Sequence, residues 1–528
     1  MVSLTGCTGW REYVANGFKV GPNYCRPAAA VADHWIDSGD PSISSKLADD
    51  AAWWRVFGDP VLDSLVQAAY RQNLTLRAAG LRILEARAQR NVAAGELFPQ
   101  SQQAFGTYTR TGTSREVTNP LPVRFFDEWT AGASLAWELD FWGRFRRNIE
   151  AADANLDASI EDYDNALVLL VAEVAQGYLD VRTAEQRLEY ARKNVEIQRA
   201  SLKLAEVRFE HGATTRLDVT QGQSNLSQTE SFIPLLEAAR RQAANQLCIL
   251  LGMPPRNLDD VLDGRKPIPS VPPQVAVGIP ADLLRRRPDV RRAERQVAAQ
   301  SARIGIAESD LYPHFSITGS IYFDAAKFKN LFDGRSISEN VGPSFRWDIL
   351  NYGRLVNSVR VQEARFQELA VLYQNTVLQA NTEAENALVG VLKFRLQVKF
   401  LTGSIEASRE SLGLVRAQYD EGTTDFNRVL NVEQLLTQQE DQLAVAQGSA
   451  AGSLVQLYKA LGGGWQIRLA APEQPPGAAA EPAGQPAPLP PPAAKEPATA
   501  PKEEEPPEVP PTPAPEKPSP SPEKTERP

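Results

Sequence analysis

Residues 134–144 read Ser134-Leu-Ala-Trp-Glu-Leu-Asp-Phe-Trp-Gly-Arg144, and residues 344–354 read Ser344-Phe-Arg-Trp-Asp-Ile-Leu-Asn-Tyr-Gly-Arg354. Trp137 and Gly143-Arg144 thus recur 210 residues later as Trp347 and Gly353-Arg354. The same offset relates Phe209-Glu-His-Gly212 to Tyr419-Asp-Glu-Gly422, and Leu251-Gly252 to Leu461-Gly462. A repeat of this length sets the architecture first. Each copy reads short helix, strand, loop, strand, very long helix, glycine turn, returning helix.

Upstream of the glycine the period is two. From Trp129 to Phe141 every odd position is apolar, while the even ones are Thr130, Gly132, Ser134, Ala136, Glu138 and Asp140. Such alternation over about 13 residues, with aromatics at both ends, fits a membrane-spanning β-strand. Soluble strands usually run about 5–6 residues. His314–Phe323 and Val341–Ile349 repeat the pattern, and Gln100–Thr111 does so more weakly. Four strands cannot close a barrel, and open edges are not tolerated in lipid. The chain is therefore expected to oligomerise and to contribute part of a barrel wall.

Downstream the period is helical. Leu156, Ile160, Tyr163, Leu167, Leu170, Val174, Gly177, Val181, Ala184, Leu188, Ala191, Val195, Gln198, Leu202, Ala205 and Phe209 alternate spacings of four and three. That is a heptad seam, and at about 1.5 Å per residue the helix reaches on the order of 100 Å. The carboxylates of these helices are expected at solvated heptad positions. Gly212 and Gly422 end the two long helices in αL turns, with the neighbouring threonines capping the returning helices. Pro234 is expected to kink the first of these.

The parts are assigned as follows. Residues 1–58 form an extended arm; 59–264 form repeat one, with a helix over 59–96, strands near 100–111 and 129–141, and a tip at 212. Residues 265–280 are a linker. Residues 281–465 form repeat two, with strands near 314–323 and 341–350 and a tip at 422. Residues 466–528, rich in Pro, Ala and Glu, cannot build a core and are expected to be disordered.

Composition excludes several functions. Net charge is −9 with no strongly basic half, so nucleic acid is not an expected partner. No apolar run is long enough for a transmembrane helix. His34, His211 and His314 are scattered, the three cysteines lack metal-ligand spacing, and no glycine loop cradles phosphate. No metal, cofactor or catalytic constellation is predicted. Leu4-Thr-Gly-Cys7 looks like a bacterial lipobox, making Cys7 a lipid-attachment candidate. Six preceding residues cannot hold an export signal, which would lie upstream.

The chain resembles the TolC-like outer membrane efflux proteins, in particular the lipoprotein branch serving resistance-nodulation-division pumps. The matching stretches are Val20-Gly-Pro-Asn-Tyr24, Trp53-Trp54 through Phe57-Gly-Asp-Pro60, Trp137 to Arg144, and Ile233-Pro-Leu-Leu-Glu237. The longest is Ile279-Pro-Ala-Asp-Leu-Leu-Arg-Arg-Arg-Pro-Asp289, running on to Leu311-Tyr312-Pro313. Together they span about residues 20–465. The resemblance implies a mixed α+β membrane protein: a homotrimer whose strands complete one twelve-stranded transmembrane β-barrel and whose coiled-coil helices form an α-helical barrel across the periplasm. It implies lipidation at Cys7, a periplasmic adaptor (membrane fusion) protein and an inner-membrane pump as partners, and passive export of small molecules such as drugs or metal ions. The alternatives are a type I protein-secretion duct of the same fold and, in another class, a structural coiled-coil or adhesin protein. On the resemblance, adaptor docking falls to the tips, at Gly212, Thr214, Leu217, Gly422, Thr423 and Thr424, and the periplasmic gate to Asp218, Asp425, Arg428 and Asn431. Family members often carry acids six and nine positions after the second tip glycine. Arg428 and Asn431 stand there in this chain, so the entrance is expected to be less acidic.

Overall fold

The computed structural model describes residues 9–44, 51–114, 116 and 123–469. Cys7 and all but the first four residues of the predicted tail lie outside them. The described chain runs α1 (Trp10–Ala15), β1 (Ile43–Ser44), α2 (Pro60–Gln72), α3 (Leu74–Gly95), β2 (Ser101–Gly112), β3 (Phe125–Glu138), α4 (Arg144–Glu210) and α5 (Arg216–Leu250). It continues with β4 (Val275–Ala276), α6 (Leu283–Arg286), α7 (Pro288–Ser309), β5 (His314–Ala325), β6 (Ile337–Arg346), α8 (Arg354–Asp420) and α9 (Phe426–Ala460). The two long helices, α4 and α8, each span 67 residues, and the returning helices α5 and α9 each span 35.

The four long strands form one antiparallel sheet in the order β2-β3-β5-β6. Opposed residues of an antiparallel pair share a face, so the register sorts the side chains. Leu135 opposes Gln102 and Gly319, Ala133 opposes Ile321, Ala131 opposes Phe323, and Phe315 opposes Phe345. One face therefore carries Ala131, Ala133, Leu135, Ile317, Ile321, Val341 and Phe345. The other carries Thr130, Ser134, Ser316, Thr318, Ser320, Asn340 and Ser344. The polar members of the apolar face, Gln102, Arg110, Asp127 and Glu339, all lie within two residues of a strand end. Among the described residues no strand pairs with the outer edge of β2 or of β6. Pro343 sits in β6, where an edge strand can spare an amide N–H.

Two strands are shifted from their predicted spans. β3 stops at Glu138 because Asp140 turns to hold the start of α4: its carboxylate accepts from the Phe145 N–H (2.9 Å) and the Arg146 N–H (3.1 Å). β6 spans Ile337–Arg346 rather than 341–350. Trp347 leaves the sheet to donate its indole N–H to the Leu311 carbonyl at 3.0 Å, and Tyr352 takes a positive φ of 51° on the way into α8.

The predicted helix over 59–96 is two helices. Asp59 caps α2 as expected, accepting from the Val61 N–H. Asn73 then breaks the run: its side-chain oxygen accepts from the Leu76 N–H (2.8 Å) and its amide donates to the Leu250 carbonyl (2.9 Å). The arm is not wholly extended, since it contains α1. The linker is pinned rather than free: Val275–Ala276 pair in parallel with Ile43–Ser44, and Val275 and Val277 are buried.

Along α4 the seam is buried from Leu167 to Ala205, apart from a half-covered Ala191. Nearer the sheet the buried stripe moves to Ala151, Ala154 and Ala158, and at the far end Phe209 is exposed. The main core gathers Trp53, Trp54, Leu62, Leu65, Tyr178, Leu247, Leu251, Tyr373 and Leu454 where α2, α4, α5, α8 and α9 meet. A second cluster, with Ala205, Leu412, Val415, Tyr419, Phe426 and Leu430, packs towards the helix tips. α5 runs through Pro234 as one helix.

Candidate functional site at the helix tips

Both long helices end in the same backbone device. The Gly212 N–H donates to the Phe209 carbonyl and the Ala213 N–H to Arg208; the Gly422 N–H donates to Tyr419 and the Thr423 N–H to Gln418. These paired bonds are Schellman stops, and both glycines take positive φ, +71° and +78°. The returning helices start differently from expectation. Thr215 stands at the α5 N-cap without a side-chain bond, and Asp425, not a threonine, caps α9 by accepting the Arg428 N–H at 2.9 Å. Thr214 donates its hydroxyl to Asp218, and Thr423 donates to the Gln418 carbonyl at 3.0 Å. The N-cap falls three residues after each tip glycine, at Thr215 in the first hairpin and Asp425 in the second, and the Asp425 carboxylate complements the positive end of α9.

Leu217, Gly212, Gly422 and Thr423 are exposed, and Thr214 and Thr424 are half-buried. Arg428 and Asn431 are both exposed on α9. Asn431 helps line a cavity of about 680 Å³ between α4, α5 and α9, together with Asn427, Gln434, Gln221, Asn225 and Gln228. Asp218 and Asp425 are each engaged by their own turn.

The contacts that join the two hairpins were not found from the sequence. Arg208 at the end of α4 reaches the carbonyl oxygens of Tyr419 and Asp420 at the end of α8, and its guanidinium lies 4.7 Å over the Tyr419 ring. Phe426 fills a notch opened by Gly222 on α5; a β-carbon there would stand 3.2 Å from the phenyl ring. Further from the tips α4 meets α9 through a polar seam. Ser201 donates to Glu433, Gln198 donates to Thr437 (3.3 Å), Asn194 donates to Glu440 (2.7 Å), and Arg187 pairs with Asp441 (2.7 Å).

The expectation that helix carboxylates are solvated is wrong here. Glu433, Glu440, Glu185 and Asp164 are all buried. Three have cations: Glu440 takes Arg409, Glu185 takes Arg182 and Arg240, and Asp164 takes Arg291 and Arg468. A buried charge persists when it is paired. Glu433 has only the Ser201 hydroxyl on one oxygen, and its other oxygen, Oε2, is buried without a protein partner. Burial pushes its pKa up to about 7, outweighing the Ser201 hydrogen bond and the more distant Arg416. One signal was in the sequence: Phe426, Val429, Glu433, Leu436, Glu440 and Leu443 follow three-four spacing, so the two glutamates occupy core positions.

The sequence profile described as outer membrane efflux protein matches residues 65–253 and again residues 279–463. The chain belongs to the outer membrane efflux protein family. Members of that family are outer-membrane channels, and the chain is an outer-membrane efflux component. It is 30% identical to nodulation protein T of Rhizobium leguminosarum bv. trifolii over 458 residues, 87% of this chain and 97% of the relative. It is 32% identical to outer membrane protein OprJ of Pseudomonas aeruginosa, over 85% of this chain and 93% of OprJ. Among solved structures, the outer-membrane channel OprN superposes with a TM-score of 0.80 at 32% identity, covering 85% of this chain and 99% of OprN. CusC superposes with a TM-score of 0.74 at 26% identity, covering 84% of this chain and all of CusC.

Proposed function

We propose that this efflux protein is the exit duct of a tripartite system, a homotrimer in which three four-stranded sheets close one transmembrane β-barrel. The observation that carries the reading is the sheet itself: one face whose middle is apolar or glycine across all four strands, and two outer edges, β2 and β6, without partners among the described residues. Exposed edges of this length need a partner in lipid, and a second copy supplies the complementary edge. Trp137-to-Arg144 and its recurrence then mark two structural repeats. α4, α5, α8 and α9 of three copies form an α-helical barrel in the periplasm, and Cys7 carries the lipid anchor.

The duct is a conduit without a catalytic role, driven by an inner-membrane resistance-nodulation-division pump through a periplasmic adaptor. Its cargo is small molecules, drugs or metal ions among them. The relatives include a protein named for pyoverdine export in Pseudomonas putida and one named for toluene efflux in the same species. The tips at Gly212, Thr214, Leu217, Gly422, Thr423 and Thr424 are the docking elements; exposed Leu217 offers the apolar contact. The gate is formed by Asp218, Asp425, Arg428 and Asn431: Asp425 holds the turn that presents Arg428 and Asn431 on α9, and Asp218 stands in the first tip where Arg428 stands in the second. Opening separates α9 from α4 along the polar seam, where water can replace each lost hydrogen bond at a net cost of about 0.5–1.5 kcal/mol apiece. Full-length protein purified in detergent is expected to have the mass of three chains and to form discrete conductance steps in a planar bilayer. A monomer, or a trimer that never conducts, overturns the proposal.

A further inference from the structure

The strands end and the helices begin where an unusual group of rings collects. Tyr13 of α1 donates its hydroxyl to the Phe141 carbonyl at 2.7 Å, and Arg146 donates to the carbonyls of Gly17 (2.7 Å) and Phe18 (2.8 Å). The Val20 N–H donates to the Trp142 carbonyl at 3.0 Å. The segment after α1 is thus held hard against the start of α4. Phe18 is fixed there at a positive φ of 60°, with its ring edge-on to Tyr13.

From this point a line of ring contacts leads onto the sheet. Trp10 meets Tyr13 at 5.6 Å, Tyr13 meets Trp142 at 5.5 Å, Trp142 meets Phe141 at 4.8 Å, Phe141 meets Phe315 at 5.4 Å, and Phe315 meets Phe345 at 6.3 Å. Phe315 and Phe345 belong to the apolar sheet face. At the other end Trp10 is 72% exposed and Val14, one helical turn on, is 43% exposed; Phe18 and Phe141 are about half-exposed. Tyr13 alone of this group is buried. α1 is thus anchored through Tyr13 against Trp142 and leaves Trp10 and Val14 on the outside together with the charged Arg11 and Glu12, while Phe18 presents its ring just beyond the helix end.

We propose that Gly9–Phe18 is a second membrane foot: α1 lies in the interfacial layer of the leaflet facing the periplasm, with Trp10, Val14 and Phe18 against lipid. The proposal rests on the reading of the apolar sheet face as the lipid-facing wall. Continuity of the exposed rings with that wall puts α1 at the edge of the hydrocarbon. Tryptophan and phenylalanine with a nearby cation, Arg11, suit that depth. Chain reach agrees: Cys7 is three residues before Trp10, at most about 11 Å of extended chain, so an acylated Cys7 keeps Trp10 close to the headgroups. Lipid, rather than a second copy, is the chosen occupant because the exposed rings lead through Phe315 of the inner strand β5 onto the apolar side-chain face of the sheet, and not to the open backbone edge of β2 or β6.

The test uses the full-length protein in vesicles of phosphatidylethanolamine and phosphatidylglycerol. Spin labels are placed by Val14→Cys, Glu12→Cys and Leu135→Cys in a Cys7→Ser, Cys25→Ser background, so that besides the introduced thiol only buried Cys248 remains. Collision rates with oxygen and with a water-soluble nickel chelate are then compared. The expected result is oxygen-dominated collision at position 14, as at position 135, and nickel-dominated collision at position 12. Nickel-dominated collision at position 14 overturns the proposal, as does protection from both reagents, which marks a protein neighbour. If position 135 itself is water-accessible, the lipid-facing sheet has failed and the foot falls with it; a lipid-exposed 135 with a wet 14 removes the foot alone.

Discussion

Replacing Glu433 by Gln removes a charge from the seam between α4 and α9 while keeping the shape of the side chain. In the folded protein this carboxyl is buried, has Ser201 on one oxygen, no protein partner on the other, and only Arg416 of α8 as a nearby cation. Its pKa rises from the ordinary 4.5 to about 7. The folded state thus holds a proton that the unfolded state releases, between those two values. Its stabilising effect is complete below pH 4.5, is lost as pH rises through 7, and is absent at pH 8. The loss amounts to at most roughly 3 kcal/mol per protomer. Hydrogen exchange along residues 198–205 and 430–437, corrected for the intrinsic pH dependence of exchange, reads that local stability. Wild type is expected to lose protection there from pH 5 to pH 8, while Glu433→Gln stays level, matches wild type near pH 5 and exceeds it at pH 8. Parallel profiles for the two proteins, or a variant less protected at pH 8, would refute the assignment of the cost to a buried, half-satisfied carboxylate.

Arginine on a lipid face at mid-membrane costs about 2–4 kcal/mol, so Leu135→Arg is expected to deplete assembled oligomer on native gels far more than Ser134→Arg; the reverse ranking would mean the two faces are exchanged, and equal depletion would mean that neither faces lipid as assigned. Gly422 holds φ at +78°, and a β-branched residue there adds strain of about 1–3 kcal/mol; Gly422→Val is expected to impair efflux in cells while oligomer yield is kept. Arg428→Ala with Asn431→Ala is expected to raise single-channel conductance, an unchanged value placing the constriction elsewhere. Asp425 is a poor choice for that experiment, since losing its cap on α9 costs about 1 kcal/mol whatever the gate does. Cys7→Ser, with an export signal supplied, is expected to abolish acyl labelling, and persistent labelling would exclude that residue as the anchor.

What could be read from the chain alone was whatever repeats with a fixed period. Alternation at Trp129–Trp137 marked a strand, three-four spacing from Leu167 to Ala205 marked a buried helical stripe, and Gly212 and Gly422 marked turns because only a residue without a β-carbon tolerates their backbone. The misreadings at Asp140, Asn73, Glu440 and Asp164 share a cause: a polar side chain engaged by a specific partner, nearby or distant, that hydrophobic periodicity does not register. Asp140 and Asn73 fall inside periodic runs, yet each spends its side chain on backbone amides and ends an element there. Glu440 and Asp164 look like surface charges until Arg409, Arg468 and Arg291 are brought beside them. At the candidate site the glycine turns were legible, but the Arg208 link to Tyr419 and Asp420 was not. It spans 211 and 212 residues, and no local pattern encodes it.

The central pairing of the sheet joins β3 to β5, although the first helical hairpin and the 265–280 segment lie between them in the chain. Closing so long a loop directly is slow, because its entropy is lost before any strand contact repays it. Helix packing shortens the problem. α7 lies along α4, with Arg292 reaching Asp162 and Arg291 reaching Glu161 and Asp164, and each helix is joined to its strand by a few residues. Once those two helices dock, β5 is delivered to β3 almost in register. The long loop between the two strands is thus spanned in the folded chain by helix packing as well as by strand pairing. The α4–α7 contact is therefore a brace for the sheet: the ion pairs of Arg291 and Arg292 hold β5 beside β3 from outside the strands themselves.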